Sequence, residues 1–314
     1  MAREQSLAER HRAAIRPTTI IESPRLNQRL GCEVVIASET FQWTGSFKFR
    51  AAYNVALNVP NEHLIAASSG NFGQALAYAS KLTDKRCTIV MPHDSAQVKI
   101  EGVREYGATV DLIDVRQISR AARVEQLAAG AGDAYIASPY DDPLVIAGNA
   151  SLGDELRALS PSFDKIVVSV GGGGLISGIL QSYAAAGDKA EIWGAEPLLG
   201  NDAARSLREG RLITNEQEPK TIADGARTVS LGGHNWKIIR EHVAGIIEVP
   251  DEQIREGLRL LYSLANLKVE PTGALTVGAL LTQASQFEGQ RVCCIVSGGN
   301  VDAPIYQAIL TELV

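Results

Sequence analysis

Short apolar runs rich in β-branched residues alternate with longer stretches of helical pattern along the first half of this chain. The runs are LIAAS (64–68), CTIVMP (87–92), TVDLID (109–114) and AYIAS (134–138). A helical pattern follows the first run as GQALAYASKL and the second as QVKIEGVREYG. Repeated strand–helix units of this kind are typical of a parallel sheet. The pattern therefore predicts one compact α/β lobe.

A second set of apolar runs follows the first and predicts a second sheet. These runs are KIVVSV (165–170), EIWGAE (191–196), AGIIEVP (244–250) and VCCIVSGG (292–299), with helical segments at 252–266 and 273–287. EVVIASE (33–39) is expected to join this second sheet. We therefore predict an α/β fold of two lobes, each built on a parallel sheet. Residues 1–58 and 141–314 form the large domain, and 59–140 form the small domain nested inside it.

The composition excludes several classes of function. The chain has 314 residues, 45% of them hydrophobic, and a formal net charge of −6, which argues against a nucleic-acid partner. No apolar run is long enough to span a bilayer, and the charged N-terminal segment lacks the apolar core of a signal peptide. Four cysteines without a CxxC pair and five histidines without an HExxH motif argue against zinc. We expect a cytoplasmic protein without a membrane partner.

Four consecutive glycines, 171–174, separate the run KIVVSV from a helical pattern. Bare backbone N–H groups at a helix N-terminus favour an anion such as phosphate. The spacing matches neither the dinucleotide motif GxGxxG nor the motif GxxxxGK[ST]. The alternative is a tight turn, although four glycines cost much chain entropy for that purpose. We therefore predict a phosphate-binding loop.

Three further segments lie at predicted strand ends or helix starts. The Ser69–Asn71 segment follows LIAAS, where it either receives an anion such as a substrate carboxylate or caps a helix. Ser297 ends a buried run and has two glycines behind it, which either admit a ligand or form a turn. Lys48, in TGSFKFRAAYN, falls in the first turn of a helix predicted to start near Ser46. The helix dipole there is expected to lower the pKa of its amine.

These features together suit one cofactor, pyridoxal 5'-phosphate. Its aldehyde condenses with a free amine, its phosphate fits a glycine loop, and its ring nitrogen pairs with a hydroxyl group. The alternative for Lys48 is a surface residue whose stem packs along apolar neighbours. Because that alternative leaves the other loops unexplained, the sequence predicts a pyridoxal phosphate enzyme.

Five motifs carry a resemblance to a known family: TGSFKFRAA, SSGNFGQALAYA, GGGGLISGI, EPTGA and SGGNVD. In this order they resemble the fold-type II pyridoxal phosphate enzymes, above all the serine racemase and threonine/serine dehydratase family. The resemblance covers nearly the whole chain. It implies a two-lobed fold like that of the tryptophan synthase β subunit, with the cofactor between the lobes, and a homodimer. Since the chain ends soon after SGGNVD, no C-terminal regulatory domain is expected.

The resemblance also implies roles for individual residues. Lys48 would carry the cofactor and remove the α-proton, and Ser69 would be the acid/base on the opposite face. Phe47 would flank the ring, Asn71 would bind the phenolic oxygen, and Ser297 would face the pyridine nitrogen. The full set of implied cofactor contacts is Phe47, Lys48, Asn71, Gly171, Gly172, Gly173, Gly174, Leu175, Glu270, Ser297 and Gly298. The implied substrate contacts are Ser68, Ser69, Asn71, Phe72 and Asn149.

The segment EPLLGND resembles the divalent-cation loop of the same family. It implies Glu196, the Gly200 carbonyl and Asp202 as ligands. Oxygen ligands of this kind suit Mg²⁺ or Ca²⁺. The alternative is a pair of solvated carboxylates.

The sequence departs from the family pattern at several positions. Phe72 replaces the histidine of the usual SGNHG, Ala51 replaces a glycine, and AGNAS (147–151) replaces AGQGT. Phe72 and Asn149 are expected to border the substrate, so these changes leave its identity open. An aromatic ring cannot donate the hydrogen bond of a histidine, so Phe72 is expected to favour an apolar or bulkier β-substituent.

The reaction implied is β-elimination from a small β-hydroxy amino acid such as L-threonine or L-serine, which yields a 2-oxo acid and ammonia. Lys48 and Ser69 on opposite faces would also permit racemisation, so a racemase or a dual-activity enzyme is the first alternative. The second is β-replacement of the cysteine-synthase type. A protein that binds pyridoxal phosphate with little catalysis is the alternative from another class.

Overall fold

The computed structural model describes residues 6–95 and 97–311 and shows an α/β fold built on two sheets. The strands are β1 (Thr19–Glu22), β2 (Glu33–Ser38), β3 (His63–Ala67), β4 (Arg86–Pro92), β5 (Thr109–Ile113), β6 (Ala134–Ile136), β7 (Lys165–Ser169), β8 (Glu191–Pro197), β9 (Gly245–Val249) and β10 (Arg291–Val296). The first five and last three residues of the predicted large domain lie outside the described residues. The predicted fold class, α/β with two sheet-based lobes, is confirmed.

The larger sheet has the strand order β1-β2-β10-β7-β8-β9. Every neighbouring pair is parallel except β1 and β2, which are antiparallel. The predictions for β2, β7, β8, β9 and β10 are confirmed. The sequence patterns did not indicate β1, a four-residue edge strand whose residues alternate between half-buried and exposed.

The smaller sheet has the order β5-β4-β3-β6, and all of its neighbouring strands are parallel. All four strands fall within residues 59–140, as the predicted small domain requires. The domain boundaries themselves stay a prediction. Because the strands of each sheet are parallel, their carboxyl ends lie at one edge, where ligands of such sheets bind.

The helices connect the strands and cover both sheets. They are α1 (Leu7–Ala14), α2 (Pro24–Leu30), α3 (Lys48–Asn58), α4 (Asn71–Leu82), α5 (Gln97–Glu105), α6 (Arg120–Ala131), α7 (Pro143–Arg157), α8 (Gly174–Ala186), α9 (Asp202–Glu209), α10 (Gly233–His242), α11 (Asp251–Ala265), α12 (Pro271–Thr282) and α13 (Ala303–Thr311). None of these described helices combines the length and the apolar character that crossing a membrane requires.

Helix α12 begins and ends earlier than the sequence pattern predicts. Glu270 is its N-cap residue and Pro271 occupies the first turn, where the fixed backbone of proline suits a helix start. The helix is buried nearly all round, and α11 lies against it. A Cβ atom on Gly257 of α11 would approach the Ala274 carbonyl oxygen to 3.0 Å, so glycine permits this close packing.

Candidate active site

A cavity of about 1000 Å³ opens where the carboxyl ends of the two sheets face each other. The structure brings most of the predicted site residues together on its wall. They are Phe47, Lys48, Ser68, Ser69, Asn71, Phe72, Gly171–Gly174, Leu175, Glu270 and Ser297. Gly298, Asn149 and the three predicted cation ligands are not among the lining residues.

Lys48 is the first residue of α3, close to the helix start that the sequence predicts. Its Nζ atom donates a hydrogen bond of 2.7 Å to the Pro139 carbonyl, across the cavity from its own helix. Burial of the amine lowers the pKa of Lys48 to about 8, while the charge of Glu270 acts in the opposite direction. The lowered pKa agrees with the expectation, but loss of solvent is its main cause. A free amine, which is the nucleophile for an aldehyde, is therefore accessible near neutral pH.

Two phenylalanine rings lie near this amine. The Nζ atom of Lys48 is 5.1 Å from the centre of the Phe47 ring and 5.8 Å from that of Phe72. Phe72 lies in the core of the small lobe, and only 2% of its surface is exposed. Its ring therefore packs mainly against the small lobe and presents little surface to the cavity. The effect of Phe72 on substrate preference stays a prediction.

The four-glycine loop connects β7 to α8, and neighbouring side chains pack tightly against it. A Cβ atom on Gly172 would lie 2.3 Å from the Tyr140 ring, and Gly173 has a φ angle of +93°, which favours glycine. Within the described residues, the backbone N–H groups from Gly171 to Leu175 donate to no other group. Unpaired N–H groups at the start of α8 are the partners that a phosphate needs.

Ser297 follows directly after β10. Its side chain offers a buried hydroxyl group, the kind of group expected to pair with the ring nitrogen of the cofactor. It is 2% exposed, and its Oγ atom is buried without a hydrogen-bond partner in the described part of the chain. Its backbone carbonyl accepts a bond of 3.0 Å from the Phe47 N–H, which fixes Ser297 relative to α3. A buried hydroxyl without a partner is costly unless a ligand pairs with it.

Glu270 and Asn71 form a pair on the cavity wall. The Asn71 Nδ2 atom lies 3.0 and 3.1 Å from the two carboxylate oxygens of Glu270. Burial raises the pKa of Glu270 to about 8. Gly298 lies behind this pair, since a Cβ atom there would come within 2.7 Å of the Glu270 Oε1 atom. Gly298 thus makes room for Glu270 and is not on the cavity wall.

The serine-rich loop after β3 divides its roles between two side chains. The Ser68 hydroxyl accepts hydrogen bonds from the N–H groups of Gly70, at 3.4 Å, and Gly73, at 3.1 Å, so it binds a backbone donor in the first turn of α4. Ser69 lines the cavity and forms no side-chain hydrogen bond within the described residues. The Ser69 hydroxyl is therefore available to a ligand, and the carboxylate-binding role of the Ser69–Asn71 segment stays a prediction.

Asn149 does not border the cavity, contrary to the sequence expectation. It is 1% exposed, and its Nδ2 atom donates a bond of 3.0 Å to the Gly174 carbonyl. Because α7 packs against α8 at this point, the side chain supports the glycine loop from behind. Motif position indicated the right helix but not the direction of the side chain.

Glu196 and Asp202 come together at the start of α9, away from the cavity. Both Glu196 oxygens accept backbone N–H bonds of 2.9 Å, from Ala203 and Ala204. One Asp202 oxygen binds the Asn215 amide at 3.0 Å, and the other is buried without a partner. Burial raises the pKa of both carboxyl groups.

The cation site expected at Glu196 and Asp202 stays a prediction. Among the described residues, no group of three or more His, Cys, Asp or Glu side chains is arranged to hold a metal ion. The expected ligand set contains only two carboxylates, with the Gly200 carbonyl as the third donor. The Asp202 oxygen without a partner in the described part of the chain is the feature that fits a cation.

Sequence reasoning missed several residues of the cavity wall. Tyr140 covers the glycine loop, Arg120 begins α6, and Asn300 follows the SGG segment. Lys99 on α5 and Asp224 on the other lobe approach to 3.6 Å across the cleft. Asn300 lies in the motif SGGNVD, and Lys99 lies in the helical pattern QVKIEGVREYG, which predicted a helix but no cavity residue. Tyr140 and Asp224 lie outside the motifs quoted above.

A family model described as pyridoxal-phosphate dependent enzyme matches residues 11–298. The chain belongs to this family. The L-threo-3-hydroxyaspartate ammonia-lyase of a Pseudomonas species is 39% identical over 307 residues, which are 96% of each chain. The serine racemase of Schizosaccharomyces pombe is 34% identical over 98% of this chain and 96% of its own. The crystal structure of a T.th. threonine deaminase is 37% identical and superposes with a TM-score of 0.89 over 94% of this chain and 96% of its own.

Membership of the pyridoxal-phosphate dependent enzymes agrees with three features of the cavity. The amine of Lys48, the unpaired N–H groups of Gly171–Leu175 and the Ser297 hydroxyl are suitable partners for an aldehyde, a phosphate and a ring nitrogen. The residues present therefore fit the cofactor of this family.

Replacing Lys48 by alanine is expected to abolish the visible absorption band of the bound cofactor together with turnover, because Lys48 supplies the buried cavity amine with the lowered pKa. Lys165→Ala is the matched control, since Lys165 also lies near aromatic rings but outside the cavity. Absorption spectra and ammonia release would be measured for both variants. A normal band and normal turnover in Lys48→Ala would contradict the assignment.

Addition of Mg²⁺ or Ca²⁺ is expected to raise the melting temperature, because a ligand that binds only the folded state stabilises it. Asp202→Ala should remove this response. Glu209→Ala should keep it, since Glu209 is an exposed carboxylate on the same helix. The measurement is thermal unfolding with chelator and with each cation, and a melting temperature indifferent to both would rule out the site.

Proposed function

We propose that this protein is an ammonia-lyase that converts a small β-hydroxy amino acid to a 2-oxo acid and ammonia by β-elimination. The observation that carries the proposal is the amine of Lys48, with its lowered pKa, in one cavity with the glycine loop and the Ser69–Asn71 segment. The ammonia-lyase and deaminase names of two similar proteins support the same reaction.

The cavity residues divide the work of substrate binding and proton transfer. Pyridoxal phosphate, when bound, supplies an aldehyde for the amino group and a ring that withdraws electrons from the α-carbon. The N-terminus of α4, with the Ser69 hydroxyl, offers hydrogen bonds to the substrate α-carboxylate. Lys48 is then the base that takes the α-proton, because its amine is partly neutral near pH 8.

Loss of the β-hydroxyl completes the elimination. The Cα–H bond breaks towards the Nζ atom of Lys48, a double bond forms between Cα and Cβ, and the Cβ–O bond breaks. The protonated amine of Lys48 can return this proton to the departing oxygen, so that water leaves. The enamine that is released hydrolyses to the 2-oxo acid and ammonia, and the lysine regains its starting state.

Two cationic side chains on the cavity wall, Arg120 and Lys99, support a substrate that carries a second carboxylate, such as 3-hydroxyaspartate. Arg120 is exposed, lines the cavity and forms no ion pair within the described residues. Lys99, also on the wall, is paired only at 3.6 Å with the half-exposed Asp224. The similar Pseudomonas protein is named an L-threo-3-hydroxyaspartate ammonia-lyase, which supports the same class of substrate. The competing interpretation is that Phe72 favours apolar β-substituents, in which case threonine or serine is the substrate.

Arg120→Met is expected to raise KM for L-threo-3-hydroxyaspartate about tenfold, the effect of losing one charge-assisted hydrogen bond. KM for L-serine should change less than about twofold, because serine has no β-carboxylate to lose that bond. Arg116→Met is the control, since Arg116 is exposed and paired with Asp114 outside the cavity. Release of 2-oxo acid from hydroxyaspartate, threonine, serine and phenylserine would be measured. Highest kcat/KM for an apolar substrate would favour the Phe72 interpretation instead.

Racemisation is the second candidate, and the free hydroxyl of Ser69 is the observation that favours it. Ser69→Ala is expected to remove formation of the D-isomer while part of the ammonia release remains, because Lys48 alone suffices for elimination. Ser68→Ala is the comparison. This change is expected to lower stability instead, since the Ser68 hydroxyl binds the Gly73 N–H in the first turn of α4. Chiral chromatography and ammonia assays on the same samples would separate the two reactions. Equal loss of both in Ser69→Ala would contradict the two-face arrangement.

A further inference from the structure

Asn300 occupies a junction between three segments of the cavity wall. Its Nδ2 atom donates hydrogen bonds to the Thr44 carbonyl at 2.7 Å and to the Asn71 Oδ1 atom at 2.9 Å. Thr44 lies four residues before Lys48, and Asn71 begins α4 in the small lobe. A Cβ atom on Gly45 would lie 2.4 Å from the Asn300 Oδ1 atom, so the lysine-bearing segment also packs directly against this amide.

The chemistry of these contacts fixes which way each amide faces. A backbone carbonyl only accepts hydrogen bonds, so the NH₂ group of Asn300 must face Thr44. The same NH₂ group then faces Asn71 and requires the amide oxygen of Asn71 on that side. The NH₂ group of Asn71 is consequently directed to the opposite side, where it meets Glu270 at 3.0 and 3.1 Å.

We propose that Asn300 is a positioning residue that sets the amide orientation of Asn71, so that its NH₂ group faces Glu270 and the phenolic oxygen of the bound cofactor. The inference rests on the proposed cofactor contact of Asn71. It does not depend on which substrate the enzyme takes. An orientation fixed by a main-chain carbonyl has no rotational alternative of equal energy, because turning either amide places two like groups against each other.

Asn300→Asp tests this because the aspartate has nearly the same shape but no NH₂ group. Its oxygens would face the Thr44 carbonyl and the Asn71 oxygen, and the Asn71 amide is expected to turn over. The cofactor's phenolic oxygen then loses its hydrogen-bond donor, which raises the pKa of that oxygen. The expected result is an upward shift, of about one pH unit or more, in the midpoint at which the visible band of the bound cofactor titrates.

The double variant Asn300→Asp with Glu270→Gln separates orientation from general destabilisation. The glutamine amide can donate to the turned Asn71 oxygen, so the melting temperature of the apoprotein should rise again towards the wild-type value. The titration midpoint should stay raised, because Asn71 is still turned. If Asn300 had only a structural role, the melting temperature and the titration midpoint would both return towards their wild-type values. That outcome would overturn the inference.

Two further variants complete the test. Asn71→Ala should raise the midpoint at least as much as Asn300→Asp, and an unchanged midpoint there would overturn the cofactor contact and the inference with it. Asn58→Asp is the control on α3, where the amide donates to the Asn54 carbonyl at 2.7 Å outside the cavity. It should lower the melting temperature and leave the midpoint unchanged. Failure of the ammonia-lyase function would be seen separately, as absence of ammonia release from the wild-type protein.

Discussion

The position of Lys48 depends on one buried guanidinium group. Arg50 has no exposed surface and binds both oxygens of Glu39, at 2.7 and 2.9 Å, together with Glu155 at 2.8 Å and the Thr18 hydroxyl at 2.8 Å. Burying an unpaired charge costs several kcal/mol, so this arrangement is tolerated only while all partners stay in place. Since Arg50 lies two residues after Lys48, the network fixes the first turn of α3 relative to β2 and α7.

The same turn of α3 is also fixed from the side of the cavity. Ser46 pairs with Gly298 in an isolated bridge, and the Phe47 N–H binds the Ser297 carbonyl at 3.0 Å. The lysine and the hydroxyl expected at the two ends of the cofactor ring are therefore held by one stretch of backbone contact. With Asn300 also bonded to the Thr44 carbonyl, the segment after β10 determines the geometry of the lysine-bearing segment.

The sequence predicts the parts of this protein that depend on the backbone pattern and leaves out those that depend on side-chain direction. Strands such as β7 and β10 are buried on both faces and read as continuous apolar runs, so their prediction succeeded. The edge strand β1 has only four residues, which alternate between half-buried and exposed. It forms no continuous apolar run, so the apolar pattern did not predict it. Asn149 shows the second limit, because its motif position gave no indication that its amide faces the Gly174 carbonyl.

The pKa of Lys48 shows why the environment, and not the position at a helix start, decides its chemistry. Burial removes water from both Lys48 and Glu270 and favours the neutral form of each, lowering the pKa of the amine and raising that of the carboxyl group. Their mutual attraction favours the charged forms and works against burial. Because the Asn71 amide binds the carboxylate of Glu270, it also favours the charged form of that group. The contact that orients Asn71 therefore also influences how readily the lysine amine loses its proton.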